Sequence, residues 1–350
     1  MKRMLGIDVS SMLNSNYYGS GAEPLKDNET QEEYKKRMIS KNLLRTSTGL
    51  FTNGLSSTMR TIITLILEWK PNYIITASDK SRKNTFRAKK YPLYKGQRKE
   101  NPCLLKEQKG FVIECLKEFG IPIFDSDEYE ADDIIFTATK MLDDGETDIR
   151  LVTKDKDYLQ LVDKMVSVWM PCINKQNADD IRNKLGLPPI NGNCPLSIAK
   201  MVQYGPKEVL MEEGVFPEMI PDLKGLKGDK SDNIPGVRGI GKGAASMLMY
   251  YGSVEAIYKA INENEKDFIN ICKKDLGIRT NQAEKLKANK FNAILSKELA
   301  TMVEVPFIKK MHIDDFAPHY NEKKIITILK KYELNSLIAN SMKLCKLNET

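Results

Sequence analysis

The chain has 350 residues, 41% of them hydrophobic and 29% charged, and carries a formal net charge of +7. That length holds one large domain or two modest ones, and the charge permits a polyanionic partner without demanding one. No apolar run approaches the roughly 18 residues of a membrane helix, and Asp8 interrupts the N-terminal apolar stretch too early for a secretory signal, so the expected location is the cytoplasm, with no membrane partner.

Residues 4–7 predict a short buried strand ending at Asp8. Residues 21–47 are polar and charge-rich, which predicts a loop with a helical piece near 32–42. Helical apolar spacing follows over 54–69 (Leu55, Met59, Ile62, Ile63, Ile66), and Pro71 stops it. The β-rich stretch 72–77 runs into Asp79. Helices are predicted over 104–119 and from Ala131 to Leu142, and strands over 149–153 and 165–169. From about 171 to 224 the pattern loosens, with a helix expected near 195–204; helices follow near 243–251 and 254–261. The last hundred residues read as mainly helical and charged. Alternating strands and helices predict an α/β fold with a mostly parallel central sheet covered by helices on both faces.

The six cysteines are scattered with no C-x-x-C spacing, which favours free reduced thiols over disulfides or a zinc site. Only two histidines exist, His312 and His319, so a hydrolase here would need a metal rather than a histidine base. Between Lys80 and Lys109 stand eleven basic residues against only Glu100 and Glu107. Alone, such a run is usually a solvated face.

The acidic residues carry the sharper signal. Asp8 and Asp79 each follow a predicted strand, Glu130, Asp132 and Asp133 open a helix, and Asp155 and Asp157 follow the strand ending at Thr153. In an open parallel sheet, ligands bind outside the carboxyl ends of the strands. Any one of these acids reads more readily as a helix cap. Together they would crowd one crevice, where repelling carboxylates must protonate or bind cations. An oxygen-only ligand set favours two Mg²⁺ ions, with Mn²⁺ a substitute, and two such ions activate water against a phosphodiester.

A further acidic pair, Asp229 and Asp232, leads into Gly236-Val-Arg-Gly239-Ile-Gly241-Lys242. Glycines at this spacing let backbone amides approach a phosphate. The stretch nearly matches a phosphate-binding NTPase loop, but Gly243 replaces the required Ser/Thr and no strand precedes it. The remaining reading is a helix–hairpin–helix turn gripping a nucleic-acid backbone.

With these motifs the chain resembles the 5′-nuclease family: the 5′→3′ exonuclease domain of DNA polymerase I, bacteriophage 5′-exonuclease and RNase H, and flap endonucleases. The resemblance runs from Met4 to about Ile261 through Gly6-Ile7-Asp8, Phe86-Arg87, the segment 91–98, Tyr129 to Asp133, Thr153 to Asp157 and Gly228 to Gly241. It implies one metal near Asp8, Asp79, Glu130 and Asp132, and a second near Asp132, Asp155, Asp157 and Asp232, with Asp133 and Asp229 in support. It implies catalytic phosphate contacts from Arg87, Lys95 and Arg98, nucleic-acid contacts from Tyr94, Arg238, Gly239, Gly241 and Lys242, and a K⁺ site at Ser231, Val237 and Ile240. The expected layout is a nuclease core over 1–172 with a helical arch around 84–118, an insertion and hairpin region over 173–265, and a helical extension over 266–350.

The implied activity is a free-standing 5′→3′ exonuclease or flap endonuclease of replication and repair. It would act as a monomer on DNA flaps, nicks and ends, on RNA–DNA hybrids, and beside replication proteins. Asn14 and Ser15 stand where the family commonly has an aromatic and an arginine, leaving Tyr17 or Tyr18 to stack on a terminal base. Two other readings fit parts of the sequence. A single-strand ribonuclease on a related acidic sheet would lack the glycine hairpin, and a non-catalytic DNA-binding relative would lack the acids. A haloacid-dehalogenase-type phosphatase needs an aspartate where Ser10 stands, and an actin-like ATPase finds no support downstream of Asp8.

Overall fold

The computed structural model describes residues 1–190, 194–241 and 243–349. The chain begins with β1 (Arg3–Asp8), α1 (Val9–Gly19), α2 (Gln31–Ile39), α3 (Asn53–Trp69), β2 (Tyr73–Ala77), α4 (Phe86–Lys90), α5 (Cys103–Glu118), β3 (Ile123–Phe124) and α6 (Ala131–Leu142). It continues with β4 (Asp148–Val152), β5 (Val166–Pro171), α7 (Lys175–Lys184), α8 (Leu196–Ala199), β6 (Met201–Tyr204), α9 (Pro206–Glu213) and α10 (Ile220–Lys227). The remainder is helical: α11 (Gly243–Tyr251), α12 (Val254–Glu263), α13 (Glu265–Lys274), α14 (Thr280–Ala288), α15 (Lys290–Ala300), α16 (Pro306–Lys309), α17 (Glu322–Lys331) and α18 (Ile338–Cys345).

The six strands form one sheet in the order β3-β2-β1-β4-β5-β6, parallel except for the antiparallel β5–β6 edge. The chain winds from β1 to one side through β2 and β3, then returns to the other side through β4. The switch point therefore lies between β1 and β4, where Asp8 ends its strand.

Alternation along the strands divides the core. Met4, Ile75, Ile149 and Leu151 pack with α6 and the hairpin helices in one cluster, whereas Leu5, Ile7 and Ile74 pack with α1, α3 and α5 in another. Gly6 lets α6 lie close on the sheet: a Cβ there would stand 2.6 Å from Leu151 Cδ2 and 3.3 Å from Ile135 Cγ2. The C-terminal helices α17 and α18 return to cover α5 and α3, with Tyr332 and Phe111 rings 4.7 Å apart. The mostly parallel sheet with helices on both faces is the expected fold class.

Several elements differ from expectation. Residues 195–204 are not one helix but the short α8 followed by β6, which pairs Met201–Tyr204 with β5. A four-residue apolar strand and a helical turn carry the same local pattern, and only the sheet edge separates them. α1, which starts directly after Asp8 and buries Val9, Met12, Leu13 and Tyr17, is an element beyond those expected. The stretch 84–118 consists of α4, a turn-rich segment over 91–102, and α5. All six cysteines are free, and among the described residues no helix is long and apolar enough to cross a membrane.

Candidate active site: an acidic cleft walled by lysines

A cleft of about 1380 Å³ opens at the carboxyl ends of the strands. Asp8, Asp79, Glu130, Asp132, Asp155, Asp157 and Asp229 all line it, together with Lys95, Arg98 and Lys224. Acids from far-apart segments thus meet where the topology predicts a ligand.

Each acid is fixed by its local structure. Asp8 caps α1, its Oδ1 accepting from the Ser11 amide at 2.8 Å, and Oδ2 accepts from Thr153 Oγ1 at 3.3 Å. Asp79 accepts from the Ala131 amide at 3.0 Å and so joins the end of β2 to the start of α6. Glu130 stands at the N-cap of α6, its amide donating to Asp133 Oδ2 at 3.2 Å, and Asp155 caps the 3₁₀ helix Lys156–Leu161 by accepting from the Asp157 amide at 2.9 Å. Side-chain capping is therefore real at Asp8 and Asp155, which both line the cleft.

Their electrostatics show the cost of gathering. Burial, then the charges of Asp79 and Asp155, push the Asp8 carboxyl up to about 7. Burial and Asp133 carry Asp132 well above the usual carboxylate range against the pull of Arg87. Burial also raises Asp155, although Lys224, Lys95 and Arg98 oppose it. Asp229 and Asp232 go the other way. Lys224 overcomes burial and holds Asp229 at about 2, and Lys95 and Arg98 hold Asp232 below its ordinary value.

Cations thread between these acids. Lys95 Nζ lies 2.6 Å from Glu130 Oε1 and 3.6 Å from Asp232 Oδ2, while Arg98 pairs with Asp232. Burial disfavours the Lys95 ammonium, yet Tyr94, Glu130 and Asp232 keep it charged, well above its ordinary pKa. Its backbone is left-handed at φ 53°, a strained conformation for lysine, anchored by its amide on the Asp232 carbonyl at 2.8 Å. Lys224 pairs with Asp157 and, at 2.7 Å, with Asp229.

Arg87, Asp133, Tyr94, Tyr17 and Tyr18 do not face the cleft as expected. Arg87 does not line the cleft: it is 1% exposed, with donors committed to Asp133, Glu130 and the Leu299 and Thr301 carbonyls. Asp133 is fully buried beneath it and also lies outside the cleft lining. Tyr94 is buried, its hydroxyl 2.9 Å from Glu130 and 3.2 Å from Asp232, so its ring offers no face to a base. Tyr17 is likewise a core residue whose hydroxyl bonds Tyr34 at 2.8 Å, and Tyr18 packs edge-on against it. Leu13 and Asn14 line the cleft instead.

The hairpin flanks this cleft. The backbones of Asp229 and Ile234 exchange two hydrogen bonds of 2.9 and 2.8 Å, and Ser231, Val237, Arg238, Gly239 and Gly241 line the cleft wall. Ile240 is buried, and Lys242 lies outside the described residues. Residues not singled out from the sequence complete the site. Lys109 on α5 contacts the Asp79 carbonyl, Lys224 pairs two acids, and the buried Tyr158 hydroxyl has no hydrogen-bond partner among the described residues. Lys109 belonged to the visible basic run; nothing marked Lys224 or Tyr158.

The donor set suits hard divalent cations. It is oxygen-only, burial and the neighbouring carboxylates disfavour the charged forms of Asp8 and Asp132, and a hydroxyl without a hydrogen-bond partner among the described residues, that of Tyr158, sits in the field of Asp8, Asp132 and Asp155. Among the described residues no three acids are gathered tightly enough to make a finished metal cage; ammonium and guanidinium groups hold them instead.

Two family models match the chain: the 5′-3′ exonuclease N-terminal resolvase-like domain over residues 3–186 and the 5′-3′ exonuclease C-terminal SAM fold over residues 215–340. The chain belongs to the 5′-3′ exonuclease family. Within it, the 5′-3′ exonuclease of Aquifex aeolicus is 35% identical over 234 residues, covering 67% of this chain and 71% of that protein. DNA polymerase I of Caldicellulosiruptor bescii is 33% identical over 298 residues, 84% of this chain but 31% of the polymerase. This exonuclease-family chain thus spans about a third of the length of its polymerase relatives. Among solved structures, T5 5′-exonuclease with bound divalent metal ions (zinc) superposes with a TM-score of 0.54 at 17% identity, covering 97% of this chain and all of that one. The catalytic core of Rad2 in complex with DNA substrate gives 0.53 at 16%, covering 97% and 91%. These two show a shared fold. The C-terminal family match also takes in residues beyond 261, where the sequence motifs end.

Proposed function

We propose that the chain is a structure-specific 5′-nuclease that hydrolyses phosphodiester bonds near the 5′ ends or junctions of branched DNA. The observation that carries this reading is the wall of Lys95 and Arg98 facing Asp8, Asp79, Glu130, Asp132 and Asp155 across one cleft beside a glycine hairpin. A polyanion needs the basic wall, and its hydrolysis without a nearby histidine needs the acidic one. The hairpin speaks for duplex substrates over a purely single-strand ribonuclease.

Asp8, Asp79, Glu130 and Asp132 would hold one divalent ion, and Asp132, Asp155, Asp157 and Asp232 a second. We take these to be Mg²⁺, with Mn²⁺ as substitute. When bound, the ions supply a hydroxide-like nucleophile at neutral pH and neutralise charge on the phosphate. The chain's own residues do the rest. Lys95 stays charged and is held by Glu130 and Asp232 at the cleft wall, ready to take a phosphate oxygen. Arg98 pairs with Asp232 and stays half-exposed, able to swing onto the phosphate. Arg87 and Asp133 fix α6 so that Glu130 and Asp132 keep their direction.

RNA–DNA hybrids are proposed as further substrates and replication proteins as partners, with the chain acting as a monomer. Its free cysteines fit the reducing cytoplasm. The test is one side-by-side assay with Mg²⁺ on an end-labelled flap, a nicked duplex and an RNA-primed hybrid. Cleavage at flap junctions or 5′ ends is expected, with Asp132→Asn inactive yet still able to bind duplex. Full activity in Asp132→Asn would overturn the proposal.

A further inference from the structure

The carbonyls at the crest of the glycine hairpin are not open to solvent on every side. Gln282 of α14 donates its side-chain amide to the Gly239 carbonyl at 2.8 Å, with a longer contact of 3.4 Å to the Ile240 carbonyl. Its Oε1 accepts from the Arg279 amide at 3.2 Å, so the carboxamide is fixed at both ends and its NH₂ must face the hairpin. Each oxygen expected to cage a monovalent cation already makes a hydrogen bond within the chain. Ser231 Oγ donates to Asp229 at 2.7 Å, the Val237 carbonyl takes the Ile240 amide at 3.3 Å, and the Ile240 carbonyl takes the Gly243 amide at 3.2 Å. Each carbonyl keeps a second lone pair, and at Gly239 and Ile240 it is the Gln282 NH₂ that meets the turn.

Lys285 follows Gln282 at helical spacing and so shares its face of α14. Its Nζ lies 2.9 Å from where a Gly239 Cβ would stand, and the side chain is otherwise exposed. Arg238, also exposed, is the neighbouring cation on the crest. Ala283 and Leu286, on the flank of α14 next to Gln282, are buried in the same core cluster as Val237 and Ile240, so the helix is held against the hairpin by packing.

We infer that α14 is a built-in part of the duplex grip: Gln282 holds the hairpin carbonyls in place of a monovalent cation, and Lys285 adds a phosphate contact beside Gly239. This rests on the reading that the hairpin binds duplex DNA. A carboxamide NH₂ presents partial positive charge to carbonyl dipoles much as a cation does, and it is part of the chain. The turn is then organised before DNA arrives, and the ammonium next to it contributes through counterion release.

The test is fluorescence anisotropy of the full chain on a labelled blunt duplex with chelator, in KCl and in N-methylglucamine chloride of equal ionic strength. Wild-type affinity is expected to agree in the two salts within about twofold. Lys285→Ala is expected to lower the slope of log affinity against log salt by about 0.9, one phosphate contact, and Lys285→Arg to restore it. Gln282→Leu is expected to weaken binding most in N-methylglucamine chloride. A wild type that loses about tenfold when K⁺ is withdrawn, or an unchanged slope in Lys285→Ala, overturns the inference. Should Gln282→Leu misfold on a thermal melt, the wild-type salt exchange and the Lys285 pair still decide. If wild type binds no duplex in either salt, the duplex-binding reading itself falls, separately from the role of α14.

Discussion

Arg87 and Asp133 form a bidentate ion pair of 2.6 and 2.7 Å that is sealed from solvent beneath the acidic cleft. The same guanidinium reaches Glu130 at 3.1 Å and the Leu299 and Thr301 carbonyls, so it joins the start of α6 to the end of α15. Removing one partner of such a pair leaves an uncompensated charge, a loss of about 3–5 kcal/mol. Arg87→Ala is therefore expected to lose stability of that order in urea unfolding. Arg87→Lys should not rescue it, since an ammonium cannot span both oxygens. Unfolding curves that coincide with wild type would return Arg87 to the list of substrate contacts.

Lys95 should behave differently. Its ammonium sits at the cleft wall between Glu130 and Asp232 and remains charged at any pH the enzyme meets. Lys95→Ala is expected to slow single-turnover cleavage by about 10²–10³, the usual scale for losing one electrostatic contact to a transition state. Duplex affinity should change only a few-fold. Equal losses in rate and affinity would make Lys95 a simple phosphate anchor.

The acids predict an inverted pH dependence for the metal-free protein. Asp8 titrates near 7 in the fold because burial and the charges of Asp79 and Asp155 disfavour its ionised form, whereas its ordinary value is 3.8. The folded state thus binds the proton more tightly than the unfolded one. Stability from this group is complete below about pH 4 and is lost as pH rises toward 7, at about 1.4 kcal/mol per unit. With chelator present, Asp8→Asn should be more stable than wild type at pH 8, by about 1–3 kcal/mol once neighbours share the relief. The advantage should shrink toward pH 5. Adding Mg²⁺ should raise the wild-type melting temperature and leave the variant nearly unmoved; a variant less stable than wild type at pH 8 would contradict this picture.

Tyr158 separates stability from metal affinity. Its hydroxyl is buried without a hydrogen-bond partner among the described residues, an arrangement that costs about 1–3 kcal/mol. Tyr158→Phe should stabilise the metal-free chain and, by removing a polar group from the field of Asp8, Asp132 and Asp155, weaken Mg²⁺ binding measured by calorimetry. Unchanged binding would make the hydroxyl a mere packing defect.

How much of this was legible in the sequence follows from distance along the chain. Asp8, Asp79 and Asp155 were readable because strand ends are marked locally, and a parallel sheet brings such ends together. Arg87 and Tyr94 were found as part of a motif but assigned to substrate, since the motif does not reveal which side chains turn inward. Lys224, pairing Asp157, and Gln282, holding Gly239, act across tens of residues and had no local signal. The α8–β6 stretch failed for the reverse reason: its local pattern was compatible with either state until β5 offered an edge.

Gly239 offers the sharpest check on the hairpin. Its φ of +96° lies where a β-branched residue is strained, and the turn it makes presents the carbonyl that Gln282 holds. Gly239→Val must either flatten the turn or store strain of about 1–3 kcal/mol. The incoming side chain can push Lys285 aside, so backbone conformation rather than space sets the penalty. Duplex affinity is expected to fall about tenfold, the equivalent of 1.4 kcal/mol. Asp8, Asp79, Glu130, Asp132, Asp155 and Asp157 belong to other segments, so cleavage of a single-stranded 5′ end, which makes no call on the crest of the hairpin, should persist. A variant that binds duplex as tightly as wild type would mean that the crest faces something other than DNA.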